Sequence, residues 1–332
     1  MSIRLPYLLF LGDAPDPLAA KVAFGIRDWR PENCVGQLRM AGCQADLGLT
    51  DMSPERAIAA GARTLVVGVA NRGGVIPETW VSELQAGLEA GLDLAAGLHN
   101  RLADVPVLAD TAARLGREIH DVRQPERTYD VADGVPRSGK RLLTVGTDCS
   151  CGKMYTALAL EKAMRARGMD ADFRATGQTG ILITGDGVSI DAVVADFISG
   201  AVEAHAPAND PEHWDLVEGQ GSLFHVSFAG VSTGLLHGAQ ADVLVLCHEP
   251  TRTHMRGLQH YPLPDLETCM AANLSVARLT NPEARFVGVS INTSKLSEQA
   301  AADCLGEIES RTGLPTVDAV RTGVERIVDA LV

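Results

Sequence analysis

Residues 141–157 read RLLTVGTDCSCGKMYTA, in which an apolar segment, a loop bounded by glycines and a helix-forming segment follow one another directly. This order is typical of a phosphate-binding loop, because glycines let backbone N–H groups turn toward a phosphate and the helix N-terminus adds partial positive charge. One position departs from the pattern, since Met154 stands where serine or threonine usually holds magnesium. We predict that the phosphate site comprises Gly146, Thr147, Asp148, Cys149, Ser150, Cys151, Gly152, Lys153 and Met154.

The composition indicates an α/β protein with two domains. At 332 residues the chain is too long for one ordinary core, and 46% apolar with only 4% aromatic residues is typical of parallel sheets buried on both faces. The net charge of -13 argues against nucleic acid as a partner, because binding to phosphate backbones needs basic surface. No apolar segment reaches the roughly 18 residues that a membrane helix needs, so we expect no membrane partner. Seven cysteines without zinc-site spacing suit a reducing cytoplasm, and we expect no metal.

Repeated strand–loop–helix units on both sides of a polar segment predict two parallel sheets. The polar segment is residues 123–140, and we predict a first domain at 1–130, a linker at 131–140 and a second domain at 141–332. In the first domain we expect strands at 7–11, 35–38, 47–49, 64–70 and 92–98, a helix at 78–90 and a ligand loop at 71–74. In the second we expect strands at 172–176, 214–218, 241–247 and 286–291 and a helix at 191–203.

Polar loops follow the predicted strands of the second domain, at 176–180, 218–222, 248–253 and 292–295. Because the carboxyl ends of parallel strands meet at one sheet edge, these loops should surround the phosphate site. Glu218 closes the apolar strand in DLVEGQGS, where a carboxylate can act as a base or hold a metal-bound water; the alternative is a structural loop cap. Asp148 lies inside the phosphate loop, and His248 is placed to relay a proton. We take Glu218, Asp148 and His248 as catalytic candidates.

Other polar residues of these loops are candidates for binding the substrate. An arginine can bind a carboxylate through two hydrogen bonds, and Arg174, Arg252 and Arg256 are available for this. We predict that the substrate site comprises Arg174, Gln178, Gln220, Ser222 and Arg252. Cys149 and Cys151 are interpreted as small residues of a tight turn rather than nucleophiles.

The phosphate loop resembles the GTDxxxGK opening of dethiobiotin synthetase and its relatives, which include cobyrinate amidases and MinD-type ATPases. A larger set of segments is similar to the DgcN family, whose members have a Rossmann-like N-terminal half and a phosphate-loop C-terminal half. The segments are WRPENCVGQL (29–38), LVVGVANRGG (65–74), GLHNRL (97–102), VGTDCSCGKM (145–154), ATGQTGILITGDGVSIDAVVADFISGAVE (175–203), VEGQGSL (217–223) and GVSINTSKLSE (288–298). The resemblance implies a Rossmann-like parallel sheet followed by a parallel sheet like that of P-loop NTPases.

This resemblance also implies an activity, the transfer of an acetyl group from acetyl-CoA to the amine of D-glutamate. Coenzyme A carries a pyrophosphate and a ribose phosphate, and binding them requires cations and N–H donors but no hydrolytic metal. Met154 therefore favours coenzyme binding over nucleotide hydrolysis, with Thr156 or a neighbouring loop as an alternative source of a magnesium-binding hydroxyl. We expect a cytoplasmic homo-oligomer that acts on a small molecule. Glu218 would take the proton from the substrate amine, and N–H groups of residues 219–222 would stabilise the oxyanion.

Three other functions stay open at this point. The first is an ATP-dependent ligase or kinase of the dethiobiotin synthetase type, which would use ATP with magnesium. The second is a nucleotide switch that resembles MinD, although the chain has no amphipathic membrane tail. The third is a dehydrogenase that binds a dinucleotide through its first domain, but no GxGxxG follows Leu11.

Overall fold

The computed structural model describes residues 3–71, 74–125 and 127–331. In chain order the elements of the first part are β1 (Tyr7–Gly12), α1 (Lys21–Trp29), β2 (Cys34–Arg39), α2 (Pro54–Ala59), β3 (Thr64–Val67), α3 (Glu78–Ala90), β4 (Asp93–Ala96), α4 (Pro106–Leu115) and β5 (Ile119–Asp121). Those that follow are β6 (Lys140–Gly146), α5 (Lys153–Ala166), β7 (Ala171–Arg174), α6 (Gln178–Thr184), α7 (Ile198–His205), β8 (Trp214–Val217), α8 (Ala229–Ala239), β9 (Val243–His248), β10 (His254–Met255), β11 (Leu258–Pro262), α9 (Leu266–Ala277), β12 (Arg285–Ile291), α10 (Glu298–Thr312), β13 (Thr316–Val317) and α11 (Glu325–Asp329).

The chain forms two compact units, each with its own sheet. The first comprises Met1–Glu126 and Gly177–Ala192, and the second comprises Arg127–Thr176 and Val193–Val332. The first unit therefore contains α6, which comes from the sequence after the phosphate loop. The predicted linker at 131–140 lies in the second unit, whose strand β6 begins at Lys140.

The sheet of the first unit has the strand order β2-β1-β3-β4-β5, and all its neighbours are parallel. Strand β1 (YLLFLG) is buried along its whole length, because a parallel strand covered on both faces must be apolar throughout. Helix α6 packs on α1 and completes this unit from a distant part of the chain. Ser53 accepts a hydrogen bond from the Arg56 N–H and caps α2, with Pro54 at the first helical position.

The sheet of the second unit has the order β13-β12-β9-β6-β8-β7, again with parallel neighbours throughout. Strand β6 lies between β9 and β8, so the loop after β6 is flanked by the loops after both neighbours. A small antiparallel hairpin, β10 with β11, follows β9. The carboxyl ends of the central strands thus bring several polar loops around the β6–α5 turn, as expected for parallel sheets.

The prediction of an α/β fold with two parallel sheets is confirmed, and helix α3 has the predicted bounds. The predicted strand at 47–49 is wrong, because this segment pairs with no strand and the Leu47 N–H donates to the Gln37 side chain instead. The helix expected from residue 191 begins only at Ile198. Two residues of the predicted loop at 71–74, Arg72 and Gly73, lie outside the described residues. No helix in the described parts of the chain has both the length and the apolar character to cross a membrane.

Candidate functional site

The loop between β6 and α5, hereafter the phosphate loop (Gly146 to Lys153), has a tight backbone that the sequence makes feasible. Gly152 has a φ of +110° and Ser150 a φ of +52°, both in the left-handed region that glycine adopts without strain. A Cβ at Gly146 would overlap the Cys151 sulfur, so only glycine fits there. The Thr147 N–H donates to the Cys247 carbonyl at 3.1 Å and joins the start of the loop to the end of β9.

Lys153 buries a positive charge in this loop. Lys153 is only 6% exposed, and its ammonium donates a hydrogen bond to the Asp148 carbonyl oxygen at 2.8 Å. Among the described residues no carboxylate oxygen lies within 4 Å of the Lys153 Nζ. Gly152, the N-cap of α5, has no side chain to accept hydrogen bonds from the first helical N–H groups. A buried cation and a helix N-terminus without a side-chain cap together form a site suited to an anion.

Asp148 is completely buried, although an acid beside a bound phosphate is electrostatically unfavourable. Its Oδ1 accepts the Cys149 N–H at 2.7 Å, and its Oδ2 accepts the Arg252 guanidinium at 2.6 Å and the Arg256 N–H at 2.9 Å. The carboxylate is therefore neutralised by Arg252 and fixes the loop to the segment after β9. These contacts are sufficient to explain an acid at this position without a role in proton transfer.

Arg252 contacts the phosphate loop through backbone oxygens as well. Its guanidinium donates to the Cys149 carbonyl at 2.6 Å and to the Ser150 carbonyl at 2.7 Å, and its Nε donates to Glu249 at 3.0 Å. Burial alone would lower the pKa of Arg252, but its contacts with Asp148 and Glu249 raise that pKa above its usual value. With two carboxylates bound, Arg252 is committed to holding the loop, and the predicted substrate contact through it has no support in this geometry.

His248, the last residue of β9, lies beside the start of the loop. Its Nδ1 is 2.9 Å from the Thr147 hydroxyl oxygen, and in the tautomer whose Nδ1–H donates to that oxygen, Nε2 has the lone pair that can accept a substrate proton. Burial lowers the pKa of His248 below its usual 6.5, so the ring is neutral near pH 7 and able to accept a proton. Ser222 donates its hydroxyl to the Thr147 carbonyl at 3.2 Å, which joins the loop after β8 to the same point.

Glu218 follows β8 and is 4% exposed. Its Oε2 accepts the Thr176 N–H at 3.0 Å, and the Thr176 hydroxyl donates to the Glu218 carbonyl at 2.6 Å. The Gln220 amide donates to the Thr176 hydroxyl at 3.2 Å. The Gly219 N–H donates to the Thr144 hydroxyl at 3.0 Å, so this N–H is not available for the oxyanion role considered from the sequence. Glu218 thus joins the ends of β7 and β8.

Three side chains singled out in the sequence contact other groups. Arg174 directs its guanidinium to Asp215, whose carboxylate is 2.6 Å from the Arg174 Nε. Gln178 begins α6 in the first unit, where its side chain packs against Gly97. The Thr156 hydroxyl donates to Ser290 at 2.8 Å within the core. The hydroxyl that could have replaced the missing magnesium ligand at position 154 is therefore already hydrogen-bonded.

Glu249 is a site residue that the sequence reasoning missed. It is almost fully buried and binds both Arg252, at 3.0 Å, and Lys295, at 3.3 Å. Its signal was present, because Glu249 directly follows an apolar strand, as Glu218 does. Both carboxylates orient neighbouring elements at the same sheet edge.

Asp148, Cys149 and His225 place one potential metal-ligand atom each within 4.8 Å of one another. Their donors are already engaged, however. The His225 Nδ1 accepts the Ser227 N–H and its Nε2 lies 3.1 Å from the Arg256 carbonyl oxygen. Burial raises the pKa of Cys149, which favours the thiol over the thiolate that a metal binds. This donor set therefore does not favour a metal ion.

Comparisons with known proteins agree with this architecture. Residues 38–125 match the family described as a DUF1611_N Rossmann-like domain, and residues 130–328 match the family described as a DUF1611_C P-loop domain of unknown function. The chain is 60% identical over 329 residues to a protein of Tritonibacter scottomollicae named D-glutamate N-acetyltransferase, with 99% of both chains covered. It is 49% identical over 328 residues to a protein of the same name from a Pseudoalteromonas species, again with 99% of each chain covered. A crystal structure of a DUF1611 family protein from Anabaena variabilis superposes with a TM-score of 0.87 at 33% identity, covering 99% of both chains.

Proposed function

The chain belongs to the DUF1611 family, and on that premise we propose that it transfers an acetyl group from acetyl-CoA to the amine of D-glutamate. Two relatives of that printed name match it from end to end, at 60% and 49% identity. Identity at this level over the whole length supports a shared reaction as well as a shared fold. The alternatives, an ATP-dependent ligase or kinase and a MinD-like switch, have no comparable support.

The observation that carries coenzyme binding is the buried ammonium of Lys153, which has no carboxylate within 4 Å among the described residues. A phosphate of coenzyme A would compensate this charge and accept hydrogen bonds from the N-terminus of α5. Two threonine hydroxyls near this point are bound to other side chains, Thr147 to His248 and Thr156 to Ser290. With Met154 at the usual magnesium-ligand position, the loop is suited to acetyl-CoA without a metal. ATP with magnesium is the alternative cofactor.

In the reaction we propose, the amine nitrogen of D-glutamate attacks the thioester carbonyl of acetyl-CoA. The C–N bond forms, the C–S bond breaks, and the coenzyme leaves as a thiolate that takes up a proton. A base accepts the proton that the amine loses. The geometry favours His248 for this step, because its ring is neutral and its Nε2 has no hydrogen-bond partner among the described residues, whereas Glu218 is already hydrogen-bonded to the Thr176 N–H. Glu218 is the alternative base.

A thiol-release assay tests this function. The purified chain is incubated with acetyl-CoA and a panel of D- and L-amino acids, without ATP, and free thiol and N-acetylated product are both measured. We expect equal amounts of thiol and N-acetyl-D-glutamate, with L-glutamate a much poorer substrate. Absence of turnover with D-glutamate, or a requirement for ATP and magnesium with release of ADP, would refute the proposal in favour of the ligase or kinase.

The cellular setting is also part of the proposal. All seven cysteines are free thiols in the structure, the state that a reducing cytoplasm maintains. We propose a cytoplasmic homo-oligomer, for which cell fractionation and sedimentation velocity are the direct tests.

A further inference from the structure

We propose that Arg256 forms a second anion subsite beside the phosphate loop and binds the ribose 3′-phosphate of coenzyme A. This inference rests on the proposed function and deepens it, because it names the part of the coenzyme that the site distinguishes. A nucleoside diphosphate or dephospho-coenzyme A lacks this group and would leave the subsite empty.

Arg256 is exposed, yet its position is fixed by buried groups. Its N–H donates to the buried carboxylate of Asp148 at 2.9 Å, and its carbonyl oxygen lies 3.1 Å from the Nε2 of the buried His225. It stands between β10 and β11, followed by Gly257 with a φ of +80° that closes the hairpin turn. Both backbone polar groups are therefore held, and the side chain is presented to the loop at a defined point.

The guanidinium of Arg256 carries an uncompensated charge, in contrast to that of Arg252. Arg252 binds the carboxylates of Asp148 and Glu249. The Arg256 guanidinium instead contacts the neutral hydroxyl of Ser150, and in the described part of the chain it forms no ion pair with a carboxylate within 4 Å. Of the two arginines that reach the loop, one holds it in shape and the other is available for a ligand.

Two uncompensated cations thus meet the phosphate loop at different residues. Lys153 contacts Asp148 from inside the loop, and Arg256 contacts Ser150 from the exposed side. Coenzyme A carries its negative charge in two groups, a pyrophosphate and a separate 3′-phosphate on the ribose. A ligand with two phosphate groups fits two separate cations better than a ligand whose phosphates form one chain. Arginine is also the side chain that binds a phosphate through paired hydrogen bonds.

Calorimetric titration of the full chain tests the subsite. Coenzyme A, dephospho-coenzyme A and ADP are titrated into the wild type, Arg256→Gln, Arg256→Lys and the control Arg285→Gln. Arg285 begins β12 at the opposite edge of the same sheet and is exposed, so the control removes the same charge far from the loop. A hydrogen-bonded contact with a charged group at a partly exposed site corresponds to a difference of about tenfold in affinity.

We expect the wild type to bind coenzyme A about tenfold more tightly than dephospho-coenzyme A, and Arg256→Gln to bind the two equally, with ADP affinity unchanged. Arg256→Lys should keep part of the difference, and Arg285→Gln all of it. Equal affinity of the wild type for the two coenzymes overturns the inference without any variant. An equal loss for all three ligands in Arg256→Gln overturns it too, since Arg256 would then act on the loop. Failure of the wild type to bind coenzyme A at all refutes the proposed function itself.

Discussion

Replacing Lys153 with methionine is expected to separate the stability of the protein from its ability to bind the coenzyme. In the ligand-free protein the ammonium is buried without a nearby carboxylate, and its charged hydrogen bond to the Asp148 carbonyl contributes about 1.5–3 kcal/mol. Against this stands a desolvation cost of several kcal/mol, and replacing buried ionic groups by apolar side chains of similar volume stabilises proteins by about 1–4 kcal/mol. This figure of about 1–4 kcal/mol is a net one that includes the lost contacts, and the loss of a charged hydrogen bond places Lys153→Met at its lower end, a gain of about 1 kcal/mol in the free energy of unfolding.

Coenzyme affinity should change in the opposite direction. Lys153→Met removes the charge that meets the phosphate, a loss of about 2.7 kcal/mol at a buried site, which corresponds to about 100-fold weaker binding. For a unit of ordinary size a gain of 1 kcal/mol raises the melting temperature by about 2–4 °C. The assays are a thermal melt without ligand and a calorimetric titration with coenzyme A.

Lys162→Met is the matched control, because Lys162 lies on the same helix, α5, and is exposed. Lys162→Met should change the melting temperature by no more than about 2 °C and leave the affinity for coenzyme A unchanged. A Lys153→Met variant that binds coenzyme A as the wild type does would refute the assignment of the phosphate loop. A fall of several degrees in its melting temperature would refute the reasoning that its charge is uncompensated in the ligand-free protein.

Three further predictions concern the same unit. Because burial lowers the pKa of His248 below its usual 6.5, thiol release should still be constant at pH 6.5 and fall only at lower pH, as the ring becomes protonated. His248→Gln should lower kcat by about 10²–10⁴ with little change in coenzyme affinity. The same result from Glu218→Gln, with His248→Gln active, would reassign the base. Asp148→Asn and Arg252→Gln should each lower the free energy of unfolding by about 2–3 kcal/mol, because each leaves a partner of the ion pair uncompensated. The double variant should lose far less than the sum of the two, since both substitutions remove the same pair. Additive losses in urea denaturation would contradict this. Gly219→Ala should lower the free energy of unfolding by at least about 3 kcal/mol, because a Cβ there would overlap the Thr144 carbonyl. The control Gly230→Ala, in α8, meets no neighbour and should raise it by about 0.5–1 kcal/mol. Equal urea midpoints for the two variants would contradict the packing at Gly219.

The features that depend on neighbouring residues could be predicted from the sequence. The β6–loop–α5 turn is encoded within residues 140–166, and so the strand, the glycines and Lys153 were found together. Asp148, in contrast, forms its ion pair with Arg252, a residue 104 positions away in the sequence. No local pattern indicates that pairing, so the sequence alone offers Arg252 as a candidate for binding a substrate carboxylate and does not reveal its contact with Asp148.

The sequence pattern alone does not determine the structure of short apolar segments or the contacts of charged residues at strand ends. The segment 47–49 has the apolar character of a strand, but Leu47 is buried through its side chain while its N–H binds Gln37. Arg174 ends β7 at the edge where parallel sheets generally bind ligands, yet its guanidinium binds the buried Asp215 on the neighbouring strand. In each case the deciding contact is with a side chain distant in the sequence, Gln37 or Asp215, and the periodicity of apolar residues does not indicate such a contact.

The assignment of α6 to the first unit has a consequence for synthesis of the chain on the ribosome. The first sheet is complete once residue 121 has emerged, but α1 must wait for residues 178–184 before α6 can cover it. The phosphate loop and β7 are synthesised in that interval. The first unit thus remains unfinished until part of the second has been made, and a fragment that ends at residue 126 would expose the apolar surface that α6 covers.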